Sequence, residues 1–250
     1  MKQTLISILL LIFVFISPSA MAKRDYLTQI TPENFDSYHT EITTRYNKLI
    51  STLSPDLIRR FKNSKGKNLN RLSKKQASYK KEYFDLVEQK KQIDPLYRLR
   101  EDLIDLYTAH YKNTDFDRAS LQTEATVLTV GLFNEIRRLK KSYRSIFIPI
   151  VHNMMIDVGV RKRGACKHWA EDLLAYLRTV NRGFFYVVWG EANMQKITEH
   201  NVAVIIPMGR PFKDGLIVDP WRTSGRPFWI KVTADTHYPW QQWTGYGAYY

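Results

Sequence analysis

The chain has 250 residues, with 38 Lys and Arg against 24 Asp and Glu, one Cys and 44% apolar residues. That apolar content, beside only 25% charged residues, excludes an intrinsically disordered chain. A single Cys excludes an intrachain disulfide framework and any cysteine-rich zinc ribbon.

At the start, Lys2 precedes an apolar run from Leu5 to Ile16, broken by Pro18 and followed by Ala20-Met21-Ala22. A basic start, a short apolar core and a small-x-small site together predict a secretory signal peptide over residues 1–22, cleaved after Ala22. The run is shorter than the roughly 18 apolar residues of a membrane span, and no later stretch approaches that length. The expected location is therefore periplasmic or secreted. In an oxidising compartment, a lone Cys points to reactivity or to burial.

Residues 23–144 read as a basic helical region. Thr31-Pro32-Glu33 predicts a helix start, with Pro at the first position and an acid in the first turn. Leu53-Ser54-Pro55 punctuates the end of that segment. A polar helix follows from Ser73 to Ile93, with a thin apolar stripe of Tyr79, Tyr83, Phe84, Leu86 and Val87. Asp94-Pro95 predicts the start of another helix reaching about Tyr111. A further one spans about Asp117 to Lys141, with Leu121, Ala125, Leu128, Leu132, Phe133 and Ile136 on one face. Between Arg59 and Lys91 there are 12 basic and 3 acidic residues, including a Lys-rich loop expected at Lys62–Lys67. That stretch is either a solvated face or a docking surface for an anionic envelope component. No helix-turn-helix, zinc or RNA-binding signature accompanies it, so no nucleic-acid partner is expected.

Residues 145–250 have a different character and hold all six Trp. Cys166, Trp169, Ala170, Leu173, Leu174 and Leu177 form one apolar stripe at helical spacing, with Gly164 just before it. Cys166 thus falls in the first turn of a buried helix. There the unpaired N–H groups and the helix dipole favour a thiolate and can stabilise an oxyanion. A small core hydrophobe is the competing reading of the same position. Three strand candidates follow: Gly183–Gly190, Glu199–Ile206 and Gly215–Val218. The Pro207–Lys213 segment between the last two predicts an antiparallel hairpin in which paired positions sum to about 420. His200 then stands opposite Asp219 or Pro220, a base beside the group that would orient it.

Gly164-x-Cys166-x-x-Trp169-Ala170, Leu177-Arg178 with Gly183 after it, His200, and then Asp219-Pro220 resemble the transglutaminase-like core of the papain-like cysteine-enzyme superfamily. The resemblance covers about residues 145–230. It implies an α+β fold: a helical region followed by a Cys helix packed on a short antiparallel sheet. It also implies a Cys166–His200–Asp219 triad acting on peptide or carboxamide bonds, as cysteine peptidase, amidase or acyltransferase. Cofactors and metal are none, and the expected partner is a peptide or protein substrate. Trp221, Trp169 and Asn201 are the candidates to line the substrate cleft. Asn201 stands where the family often has an aromatic residue after its His, and Val160 where papain has a Gln.

Other residues carry weaker expectations. His168 lies about 200° round the helix from Cys166, so it cannot face the same way. With Asp172 it reads as a solvated face rather than a metal pair. His152 and Asn153 line the cleft or cap a loop, and His237 is the substitute for His200 if the strand order differs. Glu199 tunes the base or is an exposed strand residue. Trp229 packs in the core or covers the triad, and the tail Trp240–Tyr250 is a packed edge or loop. The alternatives to an enzyme are a non-catalytic module on the same core, or a basic envelope adaptor with Cys166 in its core.

Overall fold

The computed structural model describes residues 24–64, 72–144, 149–180, 183–196 and 198–245. The expected leader and cleavage site lie outside the described residues, as do Lys65 and Lys67 and residues 246–250 of the aromatic tail. The described chain is α+β, with its helices preceding a mixed-length antiparallel sheet. Among the described residues, no helix is long and apolar enough to cross a membrane.

Helix α1 covers Phe35–Thr52 and starts later than Pro32. Thr31 and Asn34 bond each other's backbone through their side chains, at 2.8 and 3.4 Å, and this closed turn displaces the helix start to Phe35. Pro55–Ser64 is a second helix, α2, with Pro at its first position and Asp56 in the first turn. Lys62 is therefore helical, not in a loop. The signals that predict α2 are the same ones that mark a helix start elsewhere.

Helix α3 runs unbroken through Lys74–His110, with Pro95 inside it, so the break expected at Asp94-Pro95 does not occur. A Pro in a helix interior costs about 3 kcal/mol. Here Ile93, Leu96, Leu99, Leu103 and Leu106 are all buried, at roughly 1.5–3 kcal/mol for each large apolar side chain. Burial along this one face outweighs the Pro. At its start, Ser73 and Gln76 form a reciprocal cap, each side chain on the other's backbone. Helix α4, Arg118–Tyr143, lies within two residues of the expected span and is capped by Asp117. Helices α5, Pro149–Asp157, and α6, Cys166–Thr179, lead into the sheet.

The strands are β1 (Phe185–Ala192), β2 (His200–Pro207), β3 (Leu216–Val218), β4 (Trp229–Lys231) and β5 (Gln241–Gln242), in the order β4-β3-β2-β1-β5. The β2–β3 ladder pairs Ala203 with Val218 and Ile205 with Leu216, one residue off the register read from the turn. β2 is buried along its whole length, because it is central and both of its faces are covered. On one face, Ala203 and Ile205 join Phe185, Val187, Trp189, Leu216 and Val218 in the main core, with α3, α4 and α6. On the other, Val202, Val204, Ile206, Ile217 and Val232 form a smaller cluster against Tyr186, Ile230 and Trp240.

The main core crosses from the helical region into the sheet without interruption. Polar ties reinforce it. The Glu124 carboxylate on α4 accepts the backbone N–H of Gly183, Phe184 and Phe185 at 2.6–3.1 Å, and Trp229 Nε1 donates to Asp102 on α3 at 2.7 Å. Those bonds seat β1 and β4 on the helices. A third cluster, Ile42, Leu49, Leu53, Phe61, Tyr83 and Leu86, holds α1 and α2 to the start of α3.

Candidate active site

Cys166 is the first residue of α6 and is buried, 8% exposed. The turn that delivers it depends on Gly164, at φ +120°, where a Cβ would stand 2.2 Å from His152 Nε2. That ring is itself buried and bonds the Arg163 carbonyl at 3.0 Å. His168, one turn into α6, folds back so that its Nδ1 accepts the N–H of Gly164 and of Ala165 at 3.1 and 3.2 Å. It does the work of a capping side chain, with Ala165 unable to do so. Burial, first of all, and the neighbouring Arg163 and Lys167 charges hold its pKa below the usual imidazole range, which keeps the ring an acceptor. Arg163 then binds Glu171 at 2.6 Å and Asp172 at 2.8 Å, and Tyr143 hydrogen-bonds Asp172 and the His168 carbonyl. The first turn of α6 is thus braced from several sides, and the thiol has little freedom to wander.

His200 opens β2, so its backbone position is set by the central strand. By strand alternation its side chain leaves on the side of Val202 and Val204, opposite Asn201. His200 Nε2 meets Asp219 Oδ2 at 2.7 Å, and both residues are 1% exposed. Asp219 follows directly after β3, and its backbone N–H is held by the Phe228 carbonyl at 2.9 Å. With Nε2 committed to Asp219, the ring's remaining nitrogen is Nδ1, buried and, among the described residues, without a hydrogen-bond partner. Cys166 is the other side chain acting on this ring, and its Sγ lies 4.0 Å from the carbonyl oxygen of Glu199, the residue before His200. Burial opposes charging the imidazole, but Asp219 and Cys166 together more than offset it and push its pKa up to about 9. The ring is therefore an imidazolium near neutral pH, beside a thiol, in a site closed to bulk water.

Three aromatic rings enclose His200: Trp221, Tyr238 and Trp240, at centroid distances of 4.7, 4.8 and 5.4 Å. Trp221 is held by a bond from its Nε1 to Asn153 Oδ1 of α5, at 3.2 Å. Behind the acid stands Arg222, whose Nε donates to Asp219 Oδ2 at 3.0 Å and whose Nη2 donates to Asp235 Oδ2 at 2.7 Å. Asp235 also accepts Trp240 Nε1 at 2.9 Å and the His237 backbone N–H at 3.0 Å. Arg222 and Asp235 are absent from the expectations drawn above. Asp235 lies in an irregular segment 13 residues beyond Arg222, with no periodicity to relate the two. The only sequence cue is that Arg222 follows Asp219 by three, a spacing common to any turn.

The structure brings together Cys166, His200, Asp219 and Trp221. It does not bring the other two cleft candidates there. Trp169 is 2% exposed and packs edge-on against Tyr143 in the main core, as its place on the apolar stripe of α6 dictates. Asn201 points to the other face of β2, where Oδ1 accepts Trp189 Nε1 at 2.8 Å and Nδ2 donates to Glu199 at 3.2 Å. His237 is an exposed side chain and is no substitute for His200. Trp229 is turned to α3 and to Phe133, away from the triad, whereas Trp240 of the tail covers it. Asp172 serves Arg163 and Tyr143 rather than solvent. Among the described residues, no group of three or more His, Cys, Asp or Glu is placed to hold a metal ion.

No family model, no curated protein and no solved structure matches this chain.

Proposed function

We propose that this chain is an exported thiol enzyme of transglutaminase-like, papain-like architecture that cleaves or transfers the acyl group of a peptide or carboxamide bond. One observation carries the reading: the only Cys of the chain sits at a helix N-terminus beside an imidazole whose far nitrogen is fixed by a buried carboxylate at 2.7 Å. In the proposed cycle, the Cys166 thiolate attacks the carbonyl carbon and forms a C–S bond. The resulting oxyanion lies at the start of α6, where the backbone N–H groups of Cys166 and Lys167 donate to it; that of His168 already bonds the Ala165 carbonyl at 3.0 Å. The His200 imidazolium gives its Nδ1 proton to the departing amine, leaving a thioester. Water, or a second amine, then attacks with His200 as base and regenerates the thiol. Asp219 keeps the Nε2 proton in place and stabilises the imidazolium. The basic stretch 59–91, with Lys74, Lys75, Lys80 and Lys81 on α3, would serve as the contact with an anionic envelope surface.

A second reading is a non-catalytic module on the same core. It draws on the closure of the site, since His200 and Asp219 are each 1% exposed and substrate must part the aromatic cover. Turnover separates the two. The protein and its Cys166→Ser variant are incubated with unfolded casein, with and without a fluorescent primary alkylamine. New α-amino ends report peptide hydrolysis, and ammonia release with amine incorporation reports transfer. An enzyme loses at least about 10³-fold of either rate in Cys166→Ser. Equal rates in the two proteins would contradict the enzyme and leave the module.

A further inference from the structure

We propose that Arg222 and Asp235 are positioning residues of the triad: Arg222 braces Asp219 against His200, and Asp235 cancels the guanidinium charge so that it does not draw the proton off the imidazole. The inference rests on reading Cys166, His200 and Asp219 as a triad. An Arg touching the triad acid creates a problem on its own. It competes with His200 for the same oxygen, Asp219 Oδ2, at 3.0 against 2.7 Å. Its positive charge also disfavours the imidazolium. Asp235 answers both effects. Its side chain is fully buried, and it takes the other end of the guanidinium at 2.7 Å. Burial would raise its carboxyl, yet the bonds from Arg222, Trp240 and the His237 backbone hold it down at about 2, so it is an anion at neutral and mildly acid pH.

Arg suits this bridge for a geometric reason. Its planar fork can serve two carboxylates at once, which a single ammonium cannot do in the same way. The fork lies between two rings, Phe228 at 4.8 Å and Tyr238 at 5.0 Å from the guanidinium carbon, and these fix its plane. Asp235 extends the brace to the cover, because Trp240 and Tyr238, both against His200, stand in the segment that Asp235 anchors. The ionisable groups facing His200 are few. Cys166 comes from α6 and Asp219 from the end of β3; Arg222, in the turn after it, reaches the ring through Asp219, and Tyr238 of the cover packs on it, its phenol held neutral chiefly by burial. The Glu199 carboxylate is turned away to the Gln195 N–H and Asn201.

The test is the His200 titration, followed by NMR with 13C-labelled histidine, in wild type, Asp235→Asn, Arg222→Met and the double variant. Removing an anion must lower the His200 pKa, and removing a cation must raise it, each by about one unit, a tenfold change in proton affinity. The double variant removes both charges and returns the ring to near its wild-type value. Such opposite shifts that cancel are not produced by a loosened structure, which would move all three variants the same way. Unchanged titrations in the single variants, or same-direction shifts that add in the double, would overturn the proposal. Should Arg222→Met fail to fold, the fall in Asp235→Asn and its recovery in the double variant decide alone. Failure of the triad reading looks different: Cys166 reactivity would then be the same in His200→Ala as in wild type, whatever Arg222 and Asp235 do to the ring.

Discussion

Gly164 shows how one residue sets up the candidate site. Its φ of +120° lies where L side chains are strained, and a Cβ would collide with the buried His152 ring at 2.2 Å. Gly164→Ala should lose about 1–3 kcal/mol of stability from backbone strain alone, with the clash added, and should slow Cys166 alkylation by misplacing the first turn of α6. Denaturant unfolding and thiol labelling check both effects, and a stable variant labelled at the wild-type rate would refute this role. Asp235 makes a prediction about pH. Its folded value of about 2 lies below the ordinary 3.8. Its contribution is therefore present above 3.8 and is lost as pH falls from 3.8 to 2, at roughly 2 kcal/mol in all. Asp235→Asn should be less stable than wild type near neutral pH, and the gap should close by about pH 2. A gap that stays constant across the acid range would show that the carboxylate charge contributes nothing.

Among the elements, α3 is the clearest case of packing overriding a local signal. Pro95 breaks the hydrogen-bond ladder within a 37-residue helix that the main core holds straight through. Pro95→Ala restores an N–H and should stabilise the protein by about 2 kcal/mol, namely the 3 kcal/mol helix penalty less the unfolded-chain entropy that Pro removes. A lower thermal midpoint in Pro95→Ala would mean that the Pro ring packs usefully where it is. Strands β1 to β3 and the Cys helix were legible from the chain because each has a strong local signal: the stripe from Cys166 to Leu177, and three apolar runs, the last two divided by the Pro207–Lys213 turn; the short strands β4 and β5 carry no such run. The β2–β3 register followed from that turn to within one residue, enough to place His200 beside Asp219. What stayed hidden depends on tertiary partners. The continuity of α3 comes from neighbours that bury its face. Trp169 and Asn201, by contrast, were within reach of the chain, the first by its place on the apolar stripe of α6 and the second by strand alternation from His200. Arg222 and Asp235 meet only because an irregular segment returns to the end of β3.

For the whole molecule, the composition boundary near residue 144 falls at the end of α4, and a single core passes across it. The sheet takes its covering helices from α3 and α4 as well as from α6. A fragment of residues 145–250 should therefore lack a cooperative unfolding transition and should be cleaved readily by protease, whereas the chain from residue 23 onward should unfold in one step. A fragment with a sharp transition of its own would contradict this dependence. The expected docking through residues 59–91 is electrostatic and must weaken with salt. Co-sedimentation with anionic vesicles should fall steeply between low and physiological ionic strength, and binding indifferent to salt would point to an apolar contact instead.

The most direct measurement is the rate of Cys166 alkylation by iodoacetamide across pH, in wild type and in His200→Ala. Below its ordinary value of about 8.5, a free thiol gains about tenfold in rate with each pH unit. If His200 acts as the imidazolium partner of the thiol, the wild-type rate has already levelled off near neutral pH. The steep climb of a free thiol then returns in His200→Ala. A thiol that reacts only when the protein unfolds, or one whose profile is the same in both proteins, would contradict the triad.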